Sequence, residues 1–595
     1  MQAPVPYYQA RKNKFNSELT LLTQQRNRIA NIRLLAGTGA AILVITAINT
    51  GNSTYYYVVA ALAIVFLILV RRHMMVKDKI DRVKMYLTII EGETEALNGN
   101  YKRFQNGAQF LNATHPYTYD LDVFGDHSLF QMLNRTVTFG GNDSLAGMMM
   151  NGTTEKTTIE DRQAIIKELS QNPEFLEDFR VEGMRVNEDK NHLKRLREWL
   201  IADEMFAGNQ FLKIAGVVMP VLALGAIAYS VALASVWVGL WGVVVANWLI
   251  LGNQQKKIKT AAQQIGNTAA LMQLYEALLR QVASNKFEQP WLKAQQELAL
   301  NSLEQMTAFR KLVQQFEGRN NGMVGPLMNT LFLFDIICLL RLEKWKKHNR
   351  ATLINATESI IALDALISCS VHAFNHPEYT YPQFNDQKTT ITATDLRHPL
   401  LNAQTAVGNS FTLGIQEQFY LLTGANMTGK STFIRTIGVS VVLANLGLPL
   451  FATAVTMPVA RLYTSMRVTD SVQDDISYFK AELNRISNLM QAVEQSTIPY
   501  VVLLDEPLRG TNSTDKQQGT RAIVHKLLKY KAIGIVATHD TILCDMAARY
   551  TGEINNYHFE STVSPTGLSF DFTLKTGGST SNNATILMKQ MGIIE

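Results

Sequence analysis

Cysteine is scarce in this sequence, and its spacing excludes two common ways of holding a fold together. The three cysteines, Cys338, Cys369 and Cys544, lie far apart, with no Cys-x-x-Cys pair and no histidine at metal-ligand spacing. Isolated cysteines of this kind are typical of reduced, buried thiols in a cytosolic compartment. Neither a disulfide framework nor a zinc site is therefore expected.

Charge is also scarce, and no dense basic run is present. Charged residues make up 18% of the chain and hydrophobic residues 47%, a balance that leans toward a membrane component. The net charge of +6 permits contact with nucleic acid or with an anionic lipid face and argues for neither. The first thirty residues are polar and basic, so no cleavable signal peptide is expected. At about 150 residues per domain, the length predicts three or four structural units.

Two long stretches, residues 34–70 and 214–255, contain no charged residue at all. A membrane-spanning helix needs about 17–25 apolar residues, so each stretch fits two short spans. The turns are expected at residues 49–54 and near residues 230–235. Soluble helices almost always show a polar face, and we therefore predict two transmembrane hairpins. The alternative is two pairs of buried core helices.

The charges that flank these stretches predict an orientation. Arginines precede the first stretch, basic residues follow both, and both short turns are uncharged. The positive-inside rule then places the termini and the middle segment in the cytoplasm. We predict a multi-pass integral membrane protein with four spans and cytoplasmic helical and catalytic parts. A third apolar run, residues 323–340, contains Asp335, and we interpret it as a buried helix of the soluble part.

A glycine-rich motif provides the strongest functional signal. Residues 424–431 read GANMTGKS, a full GxxxxGK[ST] pattern, between a predicted strand at 419–423 and a predicted helix at 431–446. Such a P-loop turns its backbone N–H groups toward phosphate at a helix N-terminus. Lys430 can reach the β- and γ-phosphates, and Ser431 can bind Mg²⁺. The predicted ATP-binding residues are Gly424, Asn426, Met427, Gly429, Lys430, Ser431 and Thr432.

Two more predicted strands end in polar residues that suit catalysis. An apolar run from Tyr500 ends in Asp505 and Glu506, and another from Ala532 ends at His539. Ligands of open α/β sheets bind at this edge of the strands. Asp505 would hold Mg²⁺ with Ser431, Glu506 would act as general base, and His539 would sense the γ-phosphate or orient water. The alternatives are a capped strand end and a structural histidine. The predicted cofactors are ATP and Mg²⁺.

In this order, the motifs resemble those of the MutS family of mismatch-repair ATPases. The matching text is RHPLL from Arg397, LLTGANMTGKST, DSVQDDISYFKAEL, LLDEPLRGTNSTD and ATHD. Upstream, residues 121–152 are similar to the start of the family's helical lever domain. Residues 570–593 look like the helical segment that closes the family's dimer. The resemblance implies an α/β P-loop ATPase domain of MutS/ABC type, preceded by an all-α lever domain and the two hairpins.

The resemblance also implies a homodimer with composite ATP sites that drive lever movement. Ser477, in a segment with Asp474, Asp475 and Glu482, would act in trans on the γ-phosphate held by the other subunit. The loop at the dimer junction would be formed by Gly510, Thr511 and Asn512. Without the resemblance, residues 477–482 also fit an ordinary helix start.

Several departures from the family pattern bear on function. Mismatch-binding relatives carry two more domains before the lever, with a Phe-x-Glu reader, whereas Phe175-Leu-Glu177 here falls within the predicted lever helices. The second hairpin replaces the DNA-gripping clamp, and an uncharged hairpin cannot grip a phosphate backbone. Mismatch recognition is therefore not expected. Leu508 stands where relatives usually have glycine, and Asp540 where they usually have an aromatic residue.

We predict six segments along the chain: a basic helical lead-in (1–32), hairpin 1 (33–71), the first part of the lever (72–212), hairpin 2 (213–255), the second part of the lever (256–384) and the ATPase domain with C-terminal dimerisation helices (385–595). One alternative function is a membrane-tethered DNA-binding protein related to mismatch repair, with basic residues 341–350 along a channel. Another is an ABC-type transporter, although no LSGGQ-like segment precedes Asp505. Beyond membrane lipid, duplex DNA and an unidentified protein are left open as partners.

Overall fold

The computed structural model describes residues 3–185, 190–232, 238–320, 322, 324–385, 389–414, 417–425, 427–467, 478–530, 532–564 and 567–579. Within these residues the protein is mostly helical, and the described strands all follow residue 382. The α-helices are α1 (Pro4–Thr50), α2 (Thr54–Leu97), α3 (Leu129–Leu133), α4 (Phe139–Met150), α5 (Lys156–Ser170), α6 (Pro173–Met184), α7 (Lys190–Ile201), α8 (Gln210–Ala232), α9 (Val238–Ser284), α10 (Pro290–Glu317), α11 (Val324–Phe332), α12 (Phe334–Asn375), α13 (Lys430–Asn445), α14 (Tyr478–Gln495), α15 (Ser513–Lys529) and α16 (Asp545–Arg549).

The strands are β1 (Gln383–Phe384), β2 (Ile391–Leu396), β3 (Asn409–Leu413), β4 (Phe419–Thr423), β5 (Ala454–Met457), β6 (Arg461–Ser465), β7 (Tyr500–Asp505), β8 (Ile533–Ala537), β9 (Ile554–His558), β10 (Ser561–Ser564), β11 (Gly567–Phe570) and β12 (Lys575–Thr576). The chain divides into two compact units. Unit 1 comprises Met1–Arg135, Leu145–Pro173 and Leu366–Glu595, and unit 2 comprises Thr136–Ser144 and Glu174–Ala365. The six predicted segments divide the chain more finely than these two units do.

In unit 1, α1 and α2 form an antiparallel helical hairpin. The turn covers residues 51–53, inside the predicted 49–54, and Gly51 adopts a left-handed conformation at φ 67°. Gly37 lies beside Phe66, and farther from the turn the rings of Phe15 and Tyr86 stack at 4.4 Å. No residue in the most apolar part of either helix is buried.

The base of this hairpin is tied into unit 1 by a buried polar network. Arg135 Nε donates to Glu93 Oε1 at 2.8 Å, and the two side chains are 3% and 0% exposed. Asn375 Nδ2 donates to the second Glu93 oxygen, and Tyr8 Oη donates to Asn375 Oδ1, both at 2.9 Å. Because a buried charge left without its partner destabilises a protein by about 3–5 kcal/mol, this network fixes α1 and α2 to the last turns of α12.

In unit 2, α8 and α9 lie on either side of residues 233–237 and correspond to the second predicted hairpin. The described helices long and apolar enough to cross a membrane are α1, α2, α8 and α12. The apolar window of α12 is 72% buried, whereas that of α8 is 17% buried. The first part of α9 is less apolar than these four helices, because Asn247 interrupts its apolar stretch and polar residues follow Gly252.

The interpretation of the third apolar run as a single helix needs correction. The run 323–340 is not a single helix: α11 ends at Phe332, Leu333 has a φ of 51°, and α12 begins at Phe334. The break is stabilised by Asn329 Oδ1, which accepts from the N–H of Asp335 at 2.8 Å. The hairpin is followed by irregular chain, because α2 ends at Leu97 and Gly99 turns the backbone at φ 78°.

The C-terminal part of unit 1 contains a six-stranded sheet in the order β12-β9-β4-β8-β7-β6. The inner pairs are parallel, and β12 pairs antiparallel with β9. A separate four-stranded sheet has the order β1-β5-β2-β3. Strands β4, β7 and β8 are buried along their whole length, which explains their continuous apolar sequences. The predictions of these three strands and of the helix after β4 are confirmed.

The expected C-terminal helical segment is not seen where the structure describes it. Residues 570–579 include the end of β11 and the strand β12, which pairs with β9. For these residues the helical prediction is wrong, because the backbone of β12 forms hydrogen bonds with β9 instead of the internal hydrogen bonds of a helix. Residues 580–593 lie outside the described residues.

Candidate nucleotide site

The three motifs of the sequence meet at one edge of the six-stranded sheet. Strand β8 lies between β4 and β7, with Ala537 opposite both Leu422 and Asp505. The N–H of Glu506 donates to Ala537 O at 2.9 Å, and the N–H of Thr538 donates to Leu422 O at 3.0 Å. The carboxyl ends of the parallel strands therefore place the glycine-rich loop, the two acids and the Thr-His pair side by side, as expected for such sheets.

The glycine-rich loop is closed by its own lysine. Lys430 Nζ donates to Gly424 O at 2.6 Å and to Ala425 O at 2.7 Å, and burial lowers its pKa. An ammonium group has three donors, so one more is available to a phosphate oxygen. Gly424 has a φ of 137°, and a Cβ there would lie 2.6 Å from Phe559 O, so a side chain at this position is excluded.

The remaining predicted ATP-binding residues fall into two groups. Gly429, at φ 103°, is the N-cap residue of α13, and Ser431 and Thr432 are exposed in the first turn of that helix. Met427 is 77% exposed at the tip of the loop, with a φ of 69°. Asn426 lies outside the described residues.

A serine and an aspartate provide oxygen ligands that fit Mg²⁺. Ser431 Oγ donates to Asp505 Oδ2 at 2.7 Å, across from the loop. Mg²⁺ usually binds one or two protein oxygens and completes its shell with water and substrate phosphate. Among the described residues no group of three or more His, Cys, Asp or Glu side chains is arranged to hold a metal.

Glu506 is held as an ionised carboxylate at the mouth of the site. His539 Nε2 lies 2.6 Å from Glu506 Oε1, and Arg509 Nε lies 3.3 Å from the other oxygen. The hydrogen bond from His539, followed by the charge of Arg509, lowers the pKa of Glu506 to about 2. Its backbone has a φ of 51°, a strained conformation of the kind often found at functional sites. The sequence predicts that His539 senses the γ-phosphate or orients water, and the structure shows its contact with Glu506.

The segment that follows Glu506 is hydrogen bonded to a glutamate of α14. Glu482 is buried, and its Oε1 accepts from the N–H of Leu508 at 2.6 Å. Burial raises the pKa of Glu482. Of the predicted dimer-junction residues, Gly510 approaches Phe479, and Asn512 caps α15 by accepting from Asp515 N at 2.8 Å. Ser477, Asp474 and Asp475 lie outside the described residues.

Leu508→Gly is expected to destabilise unit 1 even though Leu508 has a φ of 64°. A left-handed non-glycine residue costs about 1–2 kcal/mol, which glycine would relieve. However, Leu508 is 5% exposed and packs against Gly519, and removing a buried leucine costs about 2–5 kcal/mol. The net expectation is a loss of about 2 kcal/mol in the free energy of unfolding, measured by denaturant titration. A gain in stability would show that backbone strain outweighs packing at this position.

A cavity of about 340 Å³ adjoins the glycine-rich loop. Its walls include Gly429 and Thr432 from the loop and α13, and the rings of Phe433, Phe559 and Phe572. The opposite wall is formed by residues 396–409, including His398. A mainly apolar, aromatic cavity beside a phosphate loop has the size and chemistry to hold a planar base. Sequence reasoning missed it, although RHPLL ends in this wall.

The stability of unit 1 is expected to fall between pH 7 and pH 5 because of His398. Burial, together with the charge of Arg435, lowers the pKa of this histidine from 6.5 to about 4. Below pH 6.5 the unfolded chain therefore binds a proton at His398, whereas the folded chain binds this proton only near pH 4 and below. The stability that the neutral, buried His398 contributes is complete above pH 6.5. It is lost as the pH falls toward 4, and the free energy of unfolding is lower by about 1–2 kcal/mol at pH 5.

The matched variant is His398→Asn, because His398 Nδ1 accepts from Leu400 N at 3.3 Å and an asparagine oxygen can replace it without titrating. Urea unfolding at pH 7 and pH 5 should show a smaller pH dependence in this variant. An equal dependence in both proteins would assign the effect to other groups.

Two aspartates before α3 join the nucleotide loop to the end of β6. Asp122 accepts from Arg435 Nη1 on α13 at 2.9 Å and from Arg467 Nη2 at 2.9 Å. Asp120 is fully buried and accepts from Arg485 Nη2 at 2.8 Å and from Thr464 Oγ1 at 2.6 Å. Arg467 immediately precedes residues 468–477, the segment of Ser477. Sequence reasoning did not single out either aspartate.

A parallel sheet with a glycine-rich loop after a central strand and two acids after a nearby strand defines an ATPase-type domain. Residues 420–593 match MutS domain V, and this match supports membership of the MutS family. It is 32% identical over 221 residues to the DNA mismatch repair protein MutS of Thermotoga maritima, covering 37% of this chain and 26% of that protein.

Two further relatives match similar lengths of the chain. The DNA mismatch repair protein MutS 2 of Halobacterium salinarum is 30% identical over 243 residues, which is 40% of this chain and 27% of the relative. The human MutS protein homolog 4 is 28% identical over 229 residues, which is 38% of this chain and 23% of the relative. The chain thus spans about a quarter of the length of these curated relatives.

Proposed function

We propose that this protein is a Mg²⁺-dependent P-loop ATPase of the MutS family that two helical hairpins hold in a membrane. It works as a homodimer with shared ATP sites, in which hydrolysis moves the helical parts of the subunits. The observation that carries the ATPase proposal is the meeting of Lys430, the Ser431–Asp505 pair and the Glu506–His539 pair at one sheet edge. Each supplies one of the functions that phosphoryl transfer needs.

The geometry supports a division of labour among these residues. The base enters the cavity beside Phe433 and Phe572, and the phosphates lie along the loop, where Lys430 offers a charged donor. Ser431 and Asp505 would hold Mg²⁺, which neutralises charge that develops on the phosphates. Glu506, ionised at neutral pH, accepts the proton of the attacking water, and His539 orients the carboxylate. Charge stabilisation by positioned groups carries most of such catalysis.

Membrane attachment is supported by apolar helices that the protein leaves uncovered. Leu34, Ile45 and Leu67 of the first hairpin are each at least 60% exposed, as are Val217 and Val221 on α8. Soluble proteins rarely expose apolar surface on this scale. Seventeen residues on either side of the first turn extend about 26 Å, close to the thickness of the hydrocarbon core.

Two of the basic residues in 341–350 are engaged within unit 2, which weakens the DNA-binding alternative. Lys346 is buried, and its Nζ donates to Trp199 O at 3.2 Å and to Ala202 O at 2.9 Å. Lys347 pairs with Glu204 at 2.9 Å. Both lysines hold the end of α7 and the segment that follows it. They therefore act within unit 2 rather than as a free surface for phosphate.

The first test is ATP hydrolysis by the detergent-purified protein with Mg²⁺ or with EDTA. We expect Mg²⁺-dependent turnover that Lys430→Ala removes and that Lys526→Ala, a change of an exposed lysine on α15, leaves intact. Duplex DNA is expected to leave the rate unchanged. Equal turnover in the Lys430→Ala variant would refute the site, and salt-dependent stimulation by DNA would favour the tethered DNA-binding protein.

Shared sites can be tested by mixing variants. Lys430→Ala and Ser477→Ala proteins should each be inactive alone. If Ser477 acts in trans, a mixed dimer contains one site with both residues intact, so activity should return after subunit exchange. Absence of recovery in dimers shown to be mixed would place Ser477 in its own subunit's site or outside catalysis.

A further inference from the structure

Residues 324–340, here called the wedge, form an apolar stretch that neither hairpin includes. The wedge consists of α11, the break at Leu333 and the first two turns of α12. Asp335 is the one charged residue in it, and it lies 3.5 Å from Arg319. Leu327, on α11, is 58% exposed.

The first half of the wedge docks on α9. Asn247 is fully buried, and its Nδ2 donates to Thr330 O at 2.9 Å and to Leu331 O at 3.1 Å. These carbonyls belong to the last turn of α11, where no helical N–H follows to bond them. Trp248 Nε1 also donates to Thr330 Oγ1 at 3.2 Å. The end of α11 is thus fixed to the uncharged part of α9.

The second half of the wedge docks on α8. Gly216 leaves room for α12, since a Cβ there would lie 3.2 Å from Leu340 Cδ1 and 3.6 Å from Ile337 Cγ1. Gly216 follows Lys213, the last charge before the uncharged stretch, by three residues. The charged residue Arg341 comes directly after Leu340. Arg341 at the end of the wedge and Lys213 on α8 therefore lie at a similar depth relative to the apolar stretches that they border.

These contacts define how deep the wedge would lie if α8 and α9 cross a membrane. An α-helix rises about 1.5 Å per residue, so Asn247 lies about 13 Å along α9 from Lys256, the nearest flanking cation. Gly216 lies about 4–5 Å along α8 from Lys213. With a hydrocarbon core of about 30 Å, the wedge reaches from the cytoplasmic boundary to near the middle of the bilayer. The nine residues of α11 are too short to cross it.

The backbone groups at the helix break are hydrogen bonded by other groups of the protein, which is what a bilayer environment requires. Asn247 bonds the carbonyls at the end of α11, and Asn329 Oδ1 accepts from Asp335 N at the start of α12. Leu333 N donates to Asn329 O at 3.1 Å. At a water-exposed break, solvent would satisfy these groups. Within hydrocarbon each unpaired backbone group costs several kcal/mol, so a break is tolerated only when protein groups bond it.

We propose that the wedge is embedded in the cytoplasmic leaflet beside α8 and α9, with lipid acyl chains as the partner of its exposed apolar side. The proposal rests on the proposed membrane attachment and adds a lipid contact that is not a span. Continuity with neighbouring surfaces favours lipid over a protein partner. Val217 on α8 and Leu249 on α9, at the depth of the wedge contacts, are 68% and 71% exposed. The exposed side of α11 extends this apolar surface.

The test measures contact with lipid at single positions. The full-length protein carries Leu327→Cys, is labelled with an environment-sensitive thiol fluorophore and is placed in lipid nanodiscs with or without brominated acyl chains. Leu222→Cys on α8 reports a span, and Leu300→Cys on α10 reports a soluble surface; the two leucines are 50% and 54% exposed. Labelled wild-type protein gives the background from the native cysteines, and Met328→Cys provides a second wedge position.

We expect brominated chains to quench the labels at 327 and 222 to a similar extent and to leave the label at 300 unaffected. Quenching at 222 without quenching at either 327 or 328 would overturn the wedge proposal while membrane attachment stands. No quenching at 222 would instead refute the attachment of hairpin 2, and the wedge proposal with it. The two failures are therefore distinguishable in one series of measurements.

Discussion

Glu506→Gln is expected to lower the rate of ATP hydrolysis by about 10²–10⁴-fold while ATP still binds. Glutamine keeps the size and shape of the side chain, and it cannot accept the proton of the attacking water. Lys430, Ser431 and the aromatic cavity, which would hold the nucleotide, are unchanged. The effect should therefore fall on kcat, with a dissociation constant for ATP close to that of the wild type.

The structure provides a second reason to expect a large effect at this position. The carboxylate is hydrogen bonded by His539 at 2.6 Å and faces Arg509 at 3.3 Å, and its pKa of about 2 keeps it ionised throughout the neutral range.

His539→Ala removes the largest cause of the low pKa of Glu506. The pKa of Glu506 should then rise toward 4.5, and the acid limb of the pH–rate profile should move upward with it. Glu506→Gln should have no such limb.

The measurement is single-turnover hydrolysis beside equilibrium binding of a fluorescent ATP analogue. Glu494→Gln is the matched control, since this glutamate is about half exposed on α14 and bonds Tyr530 away from the site. It should hydrolyse ATP at the wild-type rate. If Glu506→Gln slows the chemical step less than tenfold, another group accepts the proton and the assignment of the general base is wrong.

The strands of the nucleotide site could be predicted because their physical signal is local and continuous. β4, β7 and β8 are buried on both faces, so each is an unbroken apolar run that ends in polar residues. The glycine-rich motif fixed the order of strand, loop and helix around Lys430. Because parallel strands align their carboxyl ends, the proximity of Asp505, Glu506 and His539 followed from topology alone.

The cavity beside the loop could not be predicted, because its walls come from distant parts of the chain. His398, Phe433, Phe559 and Phe572 share no spacing or pattern, and only the two sheets bring them together. The same holds for Asp120 and Asp122, whose arginine partners lie more than 300 residues away in sequence. Long-range pairs of this kind leave no periodic trace.

The break in the apolar run 323–340 shows a different limit. Apolar residues predominate on both sides of Leu333, so composition alone does not predict that the helix ends there. The break depends on Asn329, which caps the next helix, and on Asn247, which bonds the freed carbonyls. A single asparagine in an apolar run is a weak sequence signal, and its meaning depends on a partner helix 80 residues away.

Asp120→Asn is expected to destabilise unit 1 by about 3–5 kcal/mol, the largest structural effect that we predict. The carboxylate is 0% exposed and accepts four hydrogen bonds. The donors are Thr464 Oγ1 at 2.6 Å, Arg485 Nη2 at 2.8 Å, and the N–H groups of Met466 and Arg467, both at 3.1 Å.

An amide cannot reproduce this arrangement, because both carboxylate oxygens are in use. Whichever position takes the –NH₂ group, it faces a donor, and that donor is left buried without an acceptor. Arg485, whose side chain is 13% exposed, also loses its counter-charge. It retains contacts with backbone carbonyls such as Thr464 O, which favours the lower end of the range.

The consequence should reach the nucleotide site, because Asp120 holds the backbone of Arg467 and Asp122 holds its guanidinium. Unit 1 is larger than the domains of 150–250 residues in which each kcal/mol lowers the melting temperature by about 2–4 °C, so its melting temperature should fall by roughly 5 °C. The control is Asp126→Asn, six residues away, where the side chain is exposed and bonds Asn106; it should change stability by less than about 0.5 kcal/mol. Equal melting temperatures for the two variants would contradict the prediction and remove the buried carboxylate as a link between the segment before α3 and the ATPase-type domain.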